Sequence, residues 1–92
     1  MSIPDLKIIR REAVLNRSGM SKTWLNDRVN DGLMPPSIAL GGRAVGWLKH
    51  EVDAVLAAMA INSSEEAIKE LVNNLVSQRE YIAVQLQTFD CA

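Results

Sequence analysis

The sequence has one cysteine, one histidine and only 4% aromatic residues among its 92 positions. A single thiol, Cys91, cannot form an internal disulfide, and His50 alone cannot complete a zinc site with it. We interpret Cys91 as a terminal thiol without a structural role and His50 as a surface or capping residue. These absences exclude a disulfide framework and a zinc-ligand set as the basis of the fold.

Long apolar runs are also missing. No segment approaches the roughly 18 consecutive apolar residues that a membrane-spanning helix requires. The opening segment, MSIPDLKIIRRE, carries charges too early for a secretory signal. We therefore expect a soluble, cytoplasmic protein with no membrane partner. The composition, 48% hydrophobic and 23% charged, is typical of a globular chain.

Patterns that carry catalysis are absent as well. His50 has no partner at a useful spacing, and Gly41-Gly42 is too short for a phosphate-binding loop and lacks the following lysine. Asp27 and Asp31 are best explained as a solvated helix face. A chain of this length buries roughly 60–65% of its unfolded surface, which leaves a thin core and little room for a walled pocket. We expect no enzyme activity, no cofactor and no bound metal.

The net charge of −1 hides an asymmetry. Residues 1–50 have eight basic and four acidic side chains, a net charge of +4, whereas residues 51–92 have two basic and seven acidic ones, a net charge of −5. Such a distribution favours a polyanion as partner of the first half. Chance scatter of surface charge is the alternative.

Helical periodicity, caps and breakers predict a mainly α chain. The predicted elements are a strand at 7–9, helices at 10–18 and 22–31, short strands at 37–40 and 44–47, and helices at 48–61 and from 63 to about 89. Gly19 is expected to end the first helix and Ser21 to cap the second. Met20, Leu25 and Val29 are expected to share an apolar face. The two helices have helix-turn-helix spacing.

The segment after the second helix predicts a hairpin. Pro35 and Pro36 exclude helix there, and Gly41-Gly42-Arg43 lies between two short extended runs. Arg43 is expected at the tip of this hairpin.

The C-terminal segment predicts a long helix. Ser63 and Glu66 have the spacing of a capping box. Apolar residues recur every seven positions from Ile61, through Ile68, Leu75 and Ile82, to Phe89, although Gln78 and Arg79 interrupt the flanking positions. The helix either dimerises or packs on its own domain, and we favour dimerisation. The expected interface residues are Ile68, Leu71, Val72, Leu75, Ile82, Leu86 and Phe89.

Short polar side chains on the second helix suit a nucleic-acid contact. Lys22, Thr23, Asn26 and Asn30 lie away from the Leu25 face and could reach base edges in a major groove. Arg43 on the hairpin could meet phosphate or a narrow minor groove. Arg10 and Arg11 enter the first helix, where it could cross the DNA backbone. Ordinary solvating charges are the alternative reading.

The order of these motifs resembles the AlpA family of phage and prophage regulators, which have a small MerR-like winged helix-turn-helix and are related to excisionases. The resemblance covers roughly residues 7–60. Its most specific part is the block R-A-V-G-W-L…E-V-D-A, from Arg43 to Ala54, and it is preceded by G-M-S-K-T-W-L from Gly19 and by D-G-L-M-P from Asp31.

The resemblance implies that residues 21–31 form the recognition helix, with Lys22 and Thr23 at its start. It also implies that Arg43 is the wing arginine and that Trp47 closes the wing onto the next helix. This chain departs from the family pattern at Asn26 and Asp27, where an aromatic and a basic residue are common. Other departures are Trp24, for which both a core and a DNA-contacting place are open, and Arg17 and Arg28, which could reach solvent or phosphate.

We therefore expect a winged helix-turn-helix domain at 1–62 and a C-terminal helix at 63–92. The expected function is sequence-specific DNA binding by a transcriptional regulator of a prophage or integrative element. An excisionase-like factor that bends DNA, and an interaction module that acts through the acidic C-terminal helix, are the alternatives. Double-stranded DNA is the expected partner, together with a homodimer and contacts to an integrase or RNA polymerase. The DNA-contacting residues are expected to be Arg10, Arg11, Ser21, Lys22, Thr23, Asn26, Asn30 and Arg43.

Overall fold

The structure is a computed structural model and describes residues 6–88. Its elements in chain order are β1 (Ile8–Ile9), α1 (Arg11–Ser18), α2 (Lys22–Asn30), β2 (Ile38–Gly41), β3 (Ala44–Leu48), α3 (Lys49–Ala60) and α4 (Glu65–Thr88). The three strands form one antiparallel sheet with the order β1-β3-β2. The predicted fold class is confirmed: a small, mainly helical winged helix-turn-helix-like fold with a long C-terminal helix.

The turn between α1 and α2 forms as its residues predict. Gly19 ends α1 with φ 70, in the left-handed region that a residue without Cβ adopts readily, and its N–H donates to the Leu15 carbonyl at 2.8 Å. The Ser21 hydroxyl then accepts from the Trp24 N–H at 3.2 Å and caps α2. The first helix begins at Arg11 rather than Arg10, which is its N-cap.

One expectation about this turn is wrong. Met20 does not share the apolar face of Leu25 and Val29, because it is 43% exposed whereas Leu25 is fully buried. Met20 precedes the cap residue Ser21, which has extended backbone angles. Helical spacing therefore does not carry Met20 onto the inner face of α2.

The wing is the hairpin of β2 and β3. Ile38 pairs with Gly46, Ala39 with Val45 and Gly41 with Ala44, with an irregularity between Ala39 and Gly41. Gly42, at φ 57, allows the chain to reverse there. On the other side of β3, Ile8 pairs with Leu48 and Ile9 with Trp47.

The cap of α4 is Ser64, not the predicted Ser63. The Ser64 hydroxyl accepts from the Ala67 N–H at 3.2 Å, and the Ser64 carbonyl accepts from the Ile68 N–H at 3.0 Å. The predicted Ser63–Glu66 capping box is therefore one residue out of register. Glu65 and Glu66 still fall in the first turn, where negative charge suits the helix dipole.

The core extends from the helix-turn-helix to α4. Its buried residues are Ile9, Val14, Leu25, Leu33, Met34, Trp47, Val52, Val55, Ile68 and Val72. In α4, Ile68 and Val72 belong to this cluster, and Leu71 and Leu75 pack against it. The long helix thus lies on α3 and completes the core of its own chain.

Because of this packing, several residues predicted to form a dimer interface are instead buried within their own chain. Ile68, Val72 and Ile82 are buried within the chain, so their apolar surface already has a partner. Leu86 is 40% exposed, and Phe89 lies outside the described residues. The predicted stripe also fails at its first member, because Ile61 is the C-cap of α3, not part of α4, and is 78% exposed.

Candidate nucleic-acid interface

The outer face of α2 presents the polar residues that the sequence predicts. Lys22 and Thr23, in its first turn, are exposed, and so are Asn26 and Asn30 further along. Leu25 faces the core and fixes the orientation of the helix. Ser21 is exposed but its oxygen is engaged as the cap, so its hydroxyl hydrogen is what it can offer to a ligand.

Arg28 and Trp24 interact with each other. The Arg28 guanidinium lies over the Trp24 ring, 5.2 Å from its centroid, and donates to the Leu33 carbonyl at 3.3 Å. Trp24 is half-buried and packs against the core. The ring contact therefore joins the first and last turns of α2, and the Arg28 hydrogen bond joins this helix to the segment that follows it.

Arg17 is likewise held within the chain. Its guanidinium pairs with Asp53 of α3 at 3.1 Å, and Asp53 also pairs with Lys49 at 2.9 Å. This three-residue group joins α1 to α3 at the surface.

Three arginines line one open cleft. Arg10 and Arg11, at the start of α1, and Arg43, on the turn of the wing, surround a space of about 430 Å³ together with Glu12 and Val45. Residues far apart in sequence meet here because β3 returns beside the start of α1. The cleft has three guanidinium groups and a single carboxylate in its lining, which makes it electropositive.

Two contacts hold the cleft in shape. The Arg10 Nε donates to the Val45 carbonyl at 3.0 Å, which fastens the start of α1 to β3. The Arg11 guanidinium lies over the Trp47 ring, 5.8 Å from its centroid. Arg11 Nε is buried and has no hydrogen-bond partner among the described residues.

The buried side chain of Trp47 supports the Arg11 guanidinium. It is 3% exposed and its indole Nε1 donates to the Pro35 carbonyl at 3.1 Å. It is a core residue, as the resemblance implies, and its ring face is occupied by Arg11.

The sequence and the geometry agree with one known family. Residues 7–58 match the family model of the prophage CP4-57 regulatory protein (AlpA). The chain belongs to the AlpA family. It is also 33% identical over 60 residues to the uncharacterised protein ORF88 of Enterobacteria phage P4, a match that spans 62% of this chain and 68% of the relative. No solved structure matches the chain.

The family match places the cleft within the shared part of this AlpA-family regulatory protein. Residues 7–58 include α1, α2, the wing and most of α3, whereas α4 lies beyond them. The structure brings Arg10, Arg11 and Arg43 together in this cleft, and it leaves the polar residues of α2 exposed.

Sequence reasoning missed the buried ion pair that joins α4 to the AlpA-matched part. Glu51 of α3 is 1% exposed and binds Arg79 of α4, a residue that the sequence pattern marks only as an interruption of the apolar stripe. An arginine on the inner side of an amphipathic helix was the available signal, because such a charge requires a buried partner.

Residues 6–88 hold neither a cluster of metal-ligating side chains nor a membrane-spanning helix. No group of three or more His, Cys, Asp or Glu side chains there could hold a metal ion. His50 is half-buried, and its Nδ1 has no hydrogen-bond partner within this range. No helix in it is long and apolar enough to cross a membrane.

Proposed function

We propose that this AlpA-family chain is a sequence-specific DNA-binding regulator of a prophage or integrative element. The observation that carries the proposal is the arginine cleft of Arg10, Arg11 and Arg43, set beside a helix-turn-helix. Guanidinium groups bind phosphate through paired N–H donors, and a cleft lined by one sign of charge concentrates that attraction.

In this proposal α2 enters the major groove. Asn26 and Asn30 offer the amide pairs that recognise adenine, and Lys22 can donate to guanine or to phosphate. All three are exposed. Asp27 is exposed on the same helix, and its carboxylate disfavours a phosphate beside it while it can accept from the amino group of cytosine.

The arginine cleft has the complementary task. Its three guanidinium groups bind the phosphate backbone and fix the register of α2, because phosphate contacts position a protein on DNA without reading sequence. Arg17 and Arg28 are left out of this set, since neither lines the cleft.

A domain this small has limited affinity for one site, so we propose that neighbouring copies on tandem sites or a homodimer supply the rest. Leu86, from the expected interface, remains exposed, as do Tyr81 and Val84 near the end of α4. Sedimentation velocity of the full chain, with Leu86→Glu as comparison, tests the dimer. A monomer at every concentration would overturn it.

Selection of duplexes from a randomised pool by the full chain, followed by binding titrations, tests the DNA function. The proposal expects a selected duplex to bind at least about a thousandfold more tightly than an unselected one. Asn26→Ala should reduce this preference, whereas the matched exposed change Asn73→Ala on α4 should leave it unchanged. Equal binding of selected and unselected duplexes would overturn the proposal.

A further inference from the structure

Arg79 binds two parts of the chain at once. Its Nε lies 2.9 Å from Glu51 Oε2 and its Nη2 lies 2.6 Å from Glu51 Oε1. The same Nη2 donates to the Pro36 carbonyl at 2.9 Å. Pro36 belongs to the segment that joins α2 to the wing, so Arg79 fastens α4 to that connection as well as to α3.

The preceding residue, Pro35, is held by a different element of the fold. Pro35 is buried, and its carbonyl accepts the hydrogen bond from the indole of Trp47 in β3. Consecutive prolines restrict the backbone, because each ring fixes φ. Between the Pro35 and Pro36 carbonyls only the ψ angle of Pro36 remains free to rotate, so a displacement of the Pro36 backbone also moves Pro35 and the carbonyl that the indole binds.

Trp47 in turn contacts one of the arginines that line the cleft. The Arg11 guanidinium lies over the Trp47 ring and lines the cleft with Arg43. Arg11 Nε has no hydrogen-bond partner among residues 6–88, and the contact with the Trp47 ring helps to place this guanidinium. Three successive contacts thus join Arg79 to the cleft.

We propose that Arg79 is a positioning residue for DNA binding: it holds the 35–36 segment and Trp47 so that Arg11 faces the phosphate-binding cleft. This inference rests on the proposed DNA-binding function. Arg79 itself touches no DNA. It suits the task because one planar guanidinium can satisfy both carboxylate oxygens and a carbonyl, which a lysine ammonium on a flexible stem does less well.

The test compares affinities of folded full-length variants for a fluorescein-labelled 30-base-pair duplex of mixed sequence in 50 mM NaCl. Arg79→Met should weaken binding about tenfold, the size expected for a residue that acts on a site through intermediates. Arg79→Lys should have an intermediate effect. Lys69→Met, which removes the same charge from an exposed position of α4, should change affinity less than about twofold.

Circular dichroism at the titration temperature gives the folded fraction, and affinities are expressed per folded molecule. A role in stability alone would lower the folded fraction but leave this corrected affinity unchanged. If Arg79→Met does not fold, Arg79→Lys makes the same comparison. Folded variants that bind as tightly as the wild type would overturn the proposal.

A double-mutant cycle identifies the route. If Arg79 acts through Arg11, Arg79→Met should weaken binding much less in an Arg11→Ala background than in the wild type. The same loss in both backgrounds would overturn the proposed route. Failure of the wild type to bind any duplex is a different result, since it overturns the DNA-binding function itself.

Discussion

The guanidinium of Arg79 and the carboxylate of Glu51 form a buried ion pair that closes α4 over α3. Glu51 is 1% exposed and the Arg79 side chain 22% exposed, and the shortest N–O distance is 2.6 Å. The pair joins a residue inside the AlpA-matched segment to one outside it. The long C-terminal helix is thereby attached to the winged domain by a specific polar contact as well as by Ile68 and Val72.

Breaking this pair from one side should destabilise the chain strongly. Arg79→Met leaves the Glu51 carboxylate buried without its partner, which costs about 3–5 kcal/mol in comparable cases. The double change Glu51→Met with Arg79→Met should recover much of that loss, because no buried charge remains. Urea unfolding followed by circular dichroism measures both.

The surface ion pair of Arg17 and Asp53 is the matched comparison. Its two side chains are 37% and 38% exposed. Arg17→Met should therefore change the free energy of unfolding by less than about 1 kcal/mol. Equal losses of unfolding free energy from Arg17→Met and Arg79→Met would show that burial of Glu51 does not raise the cost of breaking its ion pair.

Substitution of each of two neighbouring serines shows which one caps α4. Ser64→Ala should destabilise the protein by about 1 kcal/mol, because it removes the acceptor of the Ala67 N–H. Ser63→Ala should have an effect within about 0.5 kcal/mol. Thermal unfolding of the two variants side by side measures the difference, and a larger loss at Ser63 would return the cap to the position predicted from sequence.

Gly46 is required where the wing passes β1. A Cβ on Gly46 would lie 2.5 Å from Ile8 Cγ2 and 3.1 Å from the Ile9 carbonyl oxygen. Gly46→Ala should cost about 1–3 kcal/mol through overcrowding. The loss should be smaller in an Ile8→Ala background, since that change removes the nearest atom. Chemical unfolding of the four proteins in this cycle checks it, and an additive result would contradict the steric explanation.

Local signals predicted most of the fold because the caps and breakers act over a few residues. Gly19, Ser21 and the Gly41-Gly42 turn each specify backbone geometry at one position, and the helices and strands follow within one or two residues. Ser63 and Ser64 show the limit of this reasoning, since both residues can cap a helix and their local sequence does not say which one does.

The heptad stripe does not by itself identify the surface that covers it, for a physical reason. An apolar helix face requires burial, but periodicity does not say whether the covering surface belongs to the same chain or to another. The apolar side chains of Ile68 and Val72 are covered by the core of their own chain. The Glu51–Arg79 pair depends on contact between residues 28 positions apart, which no local pattern specifies.

The candidate interface was predictable residue by residue but not as a site. Arg10, Arg11 and Arg43 were each identified from their place beside a helix start or a turn. Their meeting in one cleft depends on the antiparallel return of β3, a tertiary feature. The contact between Arg28 and Trp24 could likewise be identified only from the folded structure.

The salt dependence of duplex binding tests the central claim most directly. The affinity of wild type, Arg43→Ala and the charge-matched control Lys69→Ala for one 30-base-pair duplex is measured from 50 to 200 mM NaCl. Each lost phosphate contact reduces the slope of log affinity against log salt by about 0.9, so Arg43→Ala should bind more weakly with a slope smaller by about that amount. Lys69→Ala should keep the wild-type slope. Wild-type binding that does not respond to salt, or an Arg43→Ala slope equal to that of the wild type, would contradict a phosphate-binding arginine cleft.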